Sequence, residues 1–160
     1  MNEAVDGPID VLLVCSTGGH LAQLVALKET WEPFSRTWVT FDKSDARSLL
    51  AGERVLYAHG PTNRSLKNLL RNLVFATRAL RRLQPNVVLT TGAGVAVPFA
   101  WIARLHGARV VYVESFTRID EPSLSLRLIA PVADRIYAQW PELGQVFPRA
   151  RYVGNVFSDG

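Results

Sequence analysis

Cysteine is almost missing from this chain of 160 residues: Cys15 stands alone. A single cysteine excludes an internal disulfide and a cysteine-based zinc cluster, and it suits a reducing compartment. Its place inside the apolar run 9–15 reads as a buried core thiol rather than a nucleophile. Long apolar stretches are lacking too, so no segment reads as a membrane span. The first residues carry Glu3 and Asp6 ahead of a short apolar strand, which does not fit a secretory signal. The expected location is therefore cytoplasmic. Paired carboxylates or histidine clusters at metal-ligand spacing are also absent, and neither a metal nor a cofactor is implied. One long segment, 64–82, contains no acidic residue while carrying Arg64, Lys67, Arg71, Arg78, Arg81 and Arg82.

What the sequence does have is an ordinary globular composition. Apolar residues make up 48% and charged residues 20%, which argues for one folded domain and against disorder. The most informative stretch is Ser16-Thr17-Gly18-Gly19-His20. It follows a β-branched, aliphatic run and precedes Leu21, Leu24, Val25 and Leu27, whose spacing is helical. A strand that breaks at two glycines and re-enters as a helix exposes unpaired N–H groups at the positive end of the helix dipole. Such a turn suits a phosphate or diphosphate. His20 adds a side chain able to bond an anion or move a proton near neutral pH. A plain βα turn with a solvated histidine is the competing reading of these five residues taken alone.

Strand and helix patterns alternate along the chain. Strands are expected over 9–15, 36–41, 55–57, 86–90, 109–113, 135–139 and 151–153. Helices are expected over 20–31, 44–51, 64–83, from the Thr91-Gly92-Ala93-Gly94 turn through 105, and over 123–132, with a short turn from Pro141. This order predicts an α/β fold, a doubly wound parallel sheet of the Rossmann-like kind with helices on both faces. Ligands of such sheets bind at the carboxyl ends of the strands, near the switch in strand order. If the first, fourth and fifth strands are neighbours, the 16–20 turn, the 90–94 turn and Glu114-Ser115 line one cleft. Gly92-Ala93-Gly94 resembles the start of a dinucleotide fingerprint, but it follows the wrong strand, and Val97 occupies the third-glycine position. No Lys-Ser/Thr pair follows either glycine turn, which excludes a nucleotide-hydrolysing P-loop. Neither Ser16 nor Ser115 sits in a Gly-x-Ser-x-Gly elbow, which weakens a hydrolase reading.

On a helix, Arg64, Lys67, Arg71, Arg78 and Arg82 share one face, opposite a stripe of Leu66, Leu69, Leu73, Ala76, Leu80 and Leu83 expected to face the core. Phe75 projects among the basic side chains in this projection. A basic face carrying an apolar residue suits an anionic membrane surface. Nucleic acid is disfavoured because interleaved aromatics and base-reading polar groups are missing. A merely solvated face is the bland alternative.

The turns in their order, Ser16 to His20, Thr91-Gly92-Ala93-Gly94 with Pro98, Glu114-Ser115, and Ala133-Asp134 with Gln139-Trp140-Pro141, resemble the acceptor-side, N-terminal half of a GT-B glycosyltransferase. They are similar to the N-terminal domain of MurG. They resemble still more the membrane-recruiting subunit of the split N-acetylglucosaminyltransferase of lipid-linked oligosaccharide synthesis, with its bacterial capsule and exopolysaccharide relatives of the PssD/CpsF type. The resemblance covers nearly the whole chain and implies a single GT-B N-terminal-type domain over 1–160. The eukaryotic subunit has an N-terminal membrane helix that this sequence lacks, which leaves the basic helix as the expected anchor: Arg64, Lys67, Arg71, Phe75 and Arg78.

The resemblance also implies a metal-independent inverting transfer from a UDP-sugar to a lipid-pyrophosphate-linked sugar. A donor-binding glycosyltransferase subunit would complete a heterodimer. The enzyme would be peripheral on the inner face of the plasma membrane. His20 is the expected base or diphosphate contact, and Glu114 the acceptor ligand or the orienter of His20. Ser16, Thr17, Gly18, Gly19, Thr91, Gly92, Ala93, Gly94 and Ser115 are the expected substrate contacts. Val156 and Phe157 lie where a full GT-B chain crosses to its second domain and are expected to pack on the partner. A non-catalytic scaffold for a separate, complete glycosyltransferase is the alternative, and a nucleotide-sugar epimerase a third reading.

Overall fold

A computed structural model describes residues 8–62 and 65–157. Seven strands form a single sheet in the order β3-β2-β1-β4-β5-β6-β7, with every neighbouring pair parallel. The strands are β1 (Asp10–Val14), β2 (Ser35–Thr40), β3 (Val55–Tyr57), β4 (Val87–Thr90), β5 (Arg109–Val113), β6 (Arg135–Ala138) and β7 (Ala150–Tyr152). The helices are α1 (Gly19–Ala26), α2 (Lys28–Trp31), α3 (Ser44–Leu49), α4 (Leu66–Leu83), α5 (Ala96–Leu105), α6 (Leu124–Ile129) and α7 (Pro141–Val146). The doubly wound sheet expected from the alternation is therefore present. Its order reverses between β1 and β4, and the carboxyl ends of the strands at such a switch are where doubly wound sheets bind ligands.

Side-chain alternation splits the interior into two cores. Leu12 and Val14 of β1 point with Val88, Val110 and Tyr112 toward Ala76, Leu80, Phe99 and Leu126. Val11, Leu13 and Cys15 point the other way, toward Leu21, Leu24, Trp31, Trp38 and Ala46. Successive β1 residues thus serve opposite faces, as the period of two in a strand requires.

Two helices depart from their sequence patterns. The run 20–31 is not continuous, because Leu27 leaves helical geometry (φ −82°, ψ 22°) between α1 and α2. The Trp31 indole N–H donates to the Leu24 carbonyl at 2.8 Å, and Leu27 N–H bonds the same carbonyl at 3.3 Å. A straight helix would give that carbonyl to Lys28, so the inserted indole breaks the ladder.

α4 departs differently. Leu66, Leu69 and Leu73 were expected to face the core but are 70%, 41% and 40% exposed. The buried side is instead Asn72, Ala76, Ala79 and Leu80. The cause is length. An 18-residue helix runs about 27 Å, whereas four-residue β4 spans about 13 Å, so the first half of α4 overhangs the sheet. Helices of βα units run antiparallel to the strands, and the overhang therefore lies at the carboxyl edge of the sheet.

Candidate functional site

The two glycine turns meet at the switch point and are tied to each other. His20 Nδ1 lies 2.7 Å from the Thr91 carbonyl, and the Thr91 hydroxyl donates to the His20 carbonyl at 2.8 Å. A carbonyl can only accept, so Nδ1 carries a proton, and in the neutral imidazole the lone pair is left on Nε2. Gly18 opens α1 with φ +74°, a conformation that favours glycine, and its N–H donates to Asp45 Oδ2 at 2.7 Å. The next amides, at the start of α1, lack intrahelical acceptors by construction.

The 90–94 turn is built tightly. The Gly92 N–H donates to Thr90 Oγ1 at 2.9 Å, and Gly92 takes φ +97°. A Cβ at Gly92 would sit 2.5 Å from the Tyr112 hydroxyl, so glycine is required by space as well as by dihedral. Ala93 follows at φ +72°, a left-handed conformation costing an L-residue about 1–2 kcal/mol. Backbone strain of this kind, concentrated where two turns converge, is typical of ligand sites.

Glu114 does not join them. It is fully buried, and its Oε1 accepts from Tyr112 OH at 3.1 Å and Ser115 N–H at 2.8 Å. Its Oε2 accepts from Ser123 N–H at 2.9 Å, at the cap of α6. The expected orienting of His20 by Glu114 is therefore corrected: the Thr91 carbonyl does it. The carboxylate instead binds the end of β5 to the start of α6, and it reaches Gly92 only through the Tyr112 hydroxyl. Burial first, then the nearby Glu114 charge, push the Tyr112 phenol well above its ordinary range, so it stays a neutral donor. Gln23 went unnoticed in the sequence. Buried on α1, it donates to the Glu114 carbonyl at 2.7 Å and accepts from Phe116 N–H at 2.9 Å, clamping the 114–116 turn.

A cleft of about 1380 Å³ opens at this edge. Ser16, His20, Ala93 and Gly94 line it together with Asp42, Lys43, Thr62 and Ser65. Its other wall is apolar: Leu66 and Leu69 of overhanging α4, Val97 of α5, and Leu124 and Leu128 of α6. Of the remaining expected contacts, Thr91 and Gly92 are buried beneath the turn. Thr17, Gly18 and Gly19 flank the cleft without lining it, and the Ser115 hydroxyl pairs with Thr117 at 3.0 Å. Asn72 is a second residue missed by sequence reasoning. Buried on α4, it accepts from His59 N–H at 2.9 Å and donates to the His59 carbonyl at 2.8 Å, fixing the 58–62 loop that forms part of the cleft wall. A buried amide amid leucines was the available signal.

On the outer side of α4, His59, Leu70, Arg71, Val74, Phe75 and Arg78 line a shallower groove of about 390 Å³. Phe75 lines this groove between Arg71 and Arg78, but it projects less than the helical projection suggested. It is half-buried, edge-on to Phe99 at 5.8 Å and to His59 at 6.0 Å. Leu70 and Val74, 55% and 50% exposed, are the more exposed apolar residues beside exposed Lys67, Arg71 and Arg78. Arg64 lies outside the described residues. Among those residues no helix is long and apolar enough to cross a membrane.

Past β7 the chain turns back over the carboxyl edge of β5 and β6. Val156 N–H donates to Gln139 Oε1 at 3.0 Å, and the half-exposed Phe157 ring packs edge-on to Phe116 at 5.3 Å. Phe116 in turn packs on Trp140, whose indole N–H donates to the Phe116 carbonyl at 2.6 Å.

Among solved structures the fold is similar to MurG from Acinetobacter baumannii, with a TM-score of 0.75 at 20% identity over 96% of this chain. The chain spans 47% of that protein. UDP-N-acetylglucosamine 2-epimerase from Rickettsia bellii shares the fold, with a TM-score of 0.72 at 10% identity over 94% of this chain and 46% of its own. Curated relatives named UDP-N-acetylglucosamine transferase subunit ALG14 align over most of the sequence. The Eremothecium gossypii protein is 30% identical over 92% of this chain and 80% of its own length. The Candida albicans protein is 28% identical over 89% and 75%, and the human protein 25% over 92% and 83%. A family profile described as "Oligosaccharide biosynthesis protein Alg14 like" matches residues 53–156. With the profile on most of the chain and relatives aligned along nearly all of it, this chain belongs to the Alg14-like family of oligosaccharide biosynthesis proteins.

Proposed function

We propose that this chain is the acceptor-side subunit of a two-component, metal-independent, inverting glycosyltransferase. It transfers a sugar, N-acetylglucosamine or another hexose, from a UDP-sugar to a lipid-diphosphate-linked acceptor. A donor-binding subunit completes the site, and the product feeds lipid-linked oligosaccharide, capsule or exopolysaccharide synthesis. The observation that carries this reading is one cleft with two chemistries: a polar side where Ser16, His20, Ala93 and Gly94 of the two turns meet, and an apolar wall of Leu66, Leu69, Leu124 and Leu128. A diphosphate suits the polar side, and an isoprenoid chain suits the wall.

In this mechanism the acceptor hydroxyl oxygen attacks the anomeric carbon as the bond from that carbon to the UDP oxygen breaks. His20 Nε2 takes the hydroxyl proton, because Nδ1 is committed to the Thr91 carbonyl. Substituting His20 by Ala in the co-purified complex is expected to lower kcat roughly 10²- to 10⁴-fold while leaving partner affinity unchanged. The assay uses UDP-N-acetylglucosamine and a short-chain polyprenyl-diphosphate sugar. Normal turnover by that variant would make the chain a non-catalytic scaffold.

The same reading has the protein on the cytoplasmic face of the plasma membrane, held by the outer side of α4. Leu70 and Val74 sit there among Lys67, Arg71 and Arg78, the composition that anionic bilayers select. Val156 and Phe157, folded beside Phe116 and Trp140, serve as part of the partner edge.

A further inference from the structure

The charges around the cleft are distributed unevenly. Among the described residues that line it, Lys43 is the single lysine or arginine. Its neighbour Asp42, on the same wall, is held by Arg47, with Nε 2.6 Å from Oδ1, and that guanidinium keeps the carboxyl below its usual range. Asp45, two residues past Lys43, accepts at Oδ2 from the Gly18 N–H at 2.7 Å. Both nearby carboxylates thus have partners, whereas Lys43 has no ion pair among the described residues. Its backbone is fixed: Lys43 N–H donates to the Phe41 carbonyl and its own carbonyl accepts from Arg47 N–H, both at 3.0 Å. This corner caps the carboxyl end of β2, next to β1 and its glycine turn.

We propose that Lys43 is the counter-charge for the diphosphate of the acceptor, gripping it in the same cleft as His20. The assignment rests on the reading above, in which the cleft receives a lipid-linked diphosphate. A diphosphate carries more than one negative charge, and a lysine ammonium binds phosphate as a compact point charge. Its attraction grows where the cleft walls displace water. The Arg47–Asp42 pair matters for the same reason, because an unpaired Asp42 would cancel the charge of Lys43.

The diphosphate of the UDP-sugar is the other source of this chemistry, and steady-state kinetics of the co-purified complex separates the two. In Lys43→Ala the KM for a short-chain polyprenyl-diphosphate sugar should rise roughly 10- to 100-fold, the span of a hydrogen bond to a charged group. The KM for the UDP-sugar should stay within about twofold, as expected when only acceptor binding is touched. Inorganic pyrophosphate should compete with the acceptor on the wild type and lose potency on Lys43→Ala by the same factor. Lys43→Arg should recover most of both effects, with thermal unfolding unchanged throughout because the side chain is exposed. A shift in the UDP-sugar KM alone would assign Lys43 to the donor and overturn the proposal. Unchanged constants in a complex that does use the acceptor would make it a solvated lysine. If the wild-type complex ignores the acceptor, the broader reading fails first. Titrating the full chain with inorganic pyrophosphate then decides the lysine by itself: loss of binding in Lys43→Ala supports a diphosphate site, and equal binding rejects it.

Discussion

Replacing Glu114 by Gln keeps the size of the side chain but exchanges one acceptor oxygen for an amide donor. Three donors already point at the carboxylate, from Tyr112, Ser115 and Ser123, so one of them must then face an N–H₂ group. An unsatisfied buried donor costs roughly 1–3 kcal/mol. The expected result is a lower Tm, by about 2–4 °C per kcal/mol for a chain of this size. Acceptor KM should rise with it, because Ser123 caps the helix that carries Leu124 and Leu128, while kcat stays close to wild type. A collapse of kcat at unchanged Tm would instead give the carboxylate a part in the chemistry. Cys15 makes a second prediction at this scale. Burial pushes its thiol from an ordinary 9.0 up to about 12, so the native protein should resist alkylation at neutral pH and react only on unfolding. Because the folded pKa is the higher one, this group's stabilisation is complete below pH 9 and declines as pH rises toward 12. Cys15→Ala should flatten the loss of Tm across that alkaline window. The thiol's burial was readable from the apolar run around it. The role of Glu114 was not, because nothing in Val113-Glu114-Ser115 tells a carboxylate facing a cleft from one facing a helix cap.

α4 is the element where pattern and packing part company. Helical periodicity identifies which residues share a face, but not how far the neighbouring strands extend beneath them. Leu66, Leu69 and Leu73 therefore read as core and emerge as an exposed strip. Phe75 read as exposed and turns inward to Phe99, since a ring half a turn off the stripe can still reach a neighbouring helix. The break at Leu27 is of the same kind: it depends on where the Trp31 indole packs, a tertiary fact. For membrane attachment the two halves of the α4 surface should separate experimentally. A Lys67/Arg71/Arg78 triple-Ala variant should lose about 1 kcal/mol of vesicle binding per removed charge on anionic vesicles, and the salt dependence with it. Leu70→Ser with Val74→Ser should weaken flotation on neutral and anionic vesicles alike, because apolar insertion does not depend on lipid charge. Equal flotation of all variants would leave the strip merely solvated.

At the scale of the whole molecule the sequence was most legible. Strands buried on both faces give unbroken aliphatic runs, glycine turns punctuate them, and the βα rhythm leaves a parallel sheet as the economical solution. The convergence of the 16–20 and 90–94 turns followed from placing β1 beside β4. The 154–157 segment belongs to this scale because it packs on the carboxyl edge of the sheet, which we propose as part of the partner edge. Phe157→Ala should leave the fold intact, since its ring is half-exposed, and weaken co-purification of the donor-binding subunit roughly tenfold or more, as an aromatic anchor does. Unchanged affinity would move the interface toward the cleft loops. The overhang of α4 has a last consequence. One helix supplies Leu66 and Leu69 to the inner wall of the cleft and Leu70 and Val74 to the outside, so a bilayer against the outer groove would begin where the cleft ends. A glycolipid could then slide in sideways, its tail still among the other tails. Turnover would follow the mole fraction of acceptor in the surface rather than its concentration in the volume, and diluting the vesicles with inert phospholipid would slow the enzyme while diluting them with buffer would not.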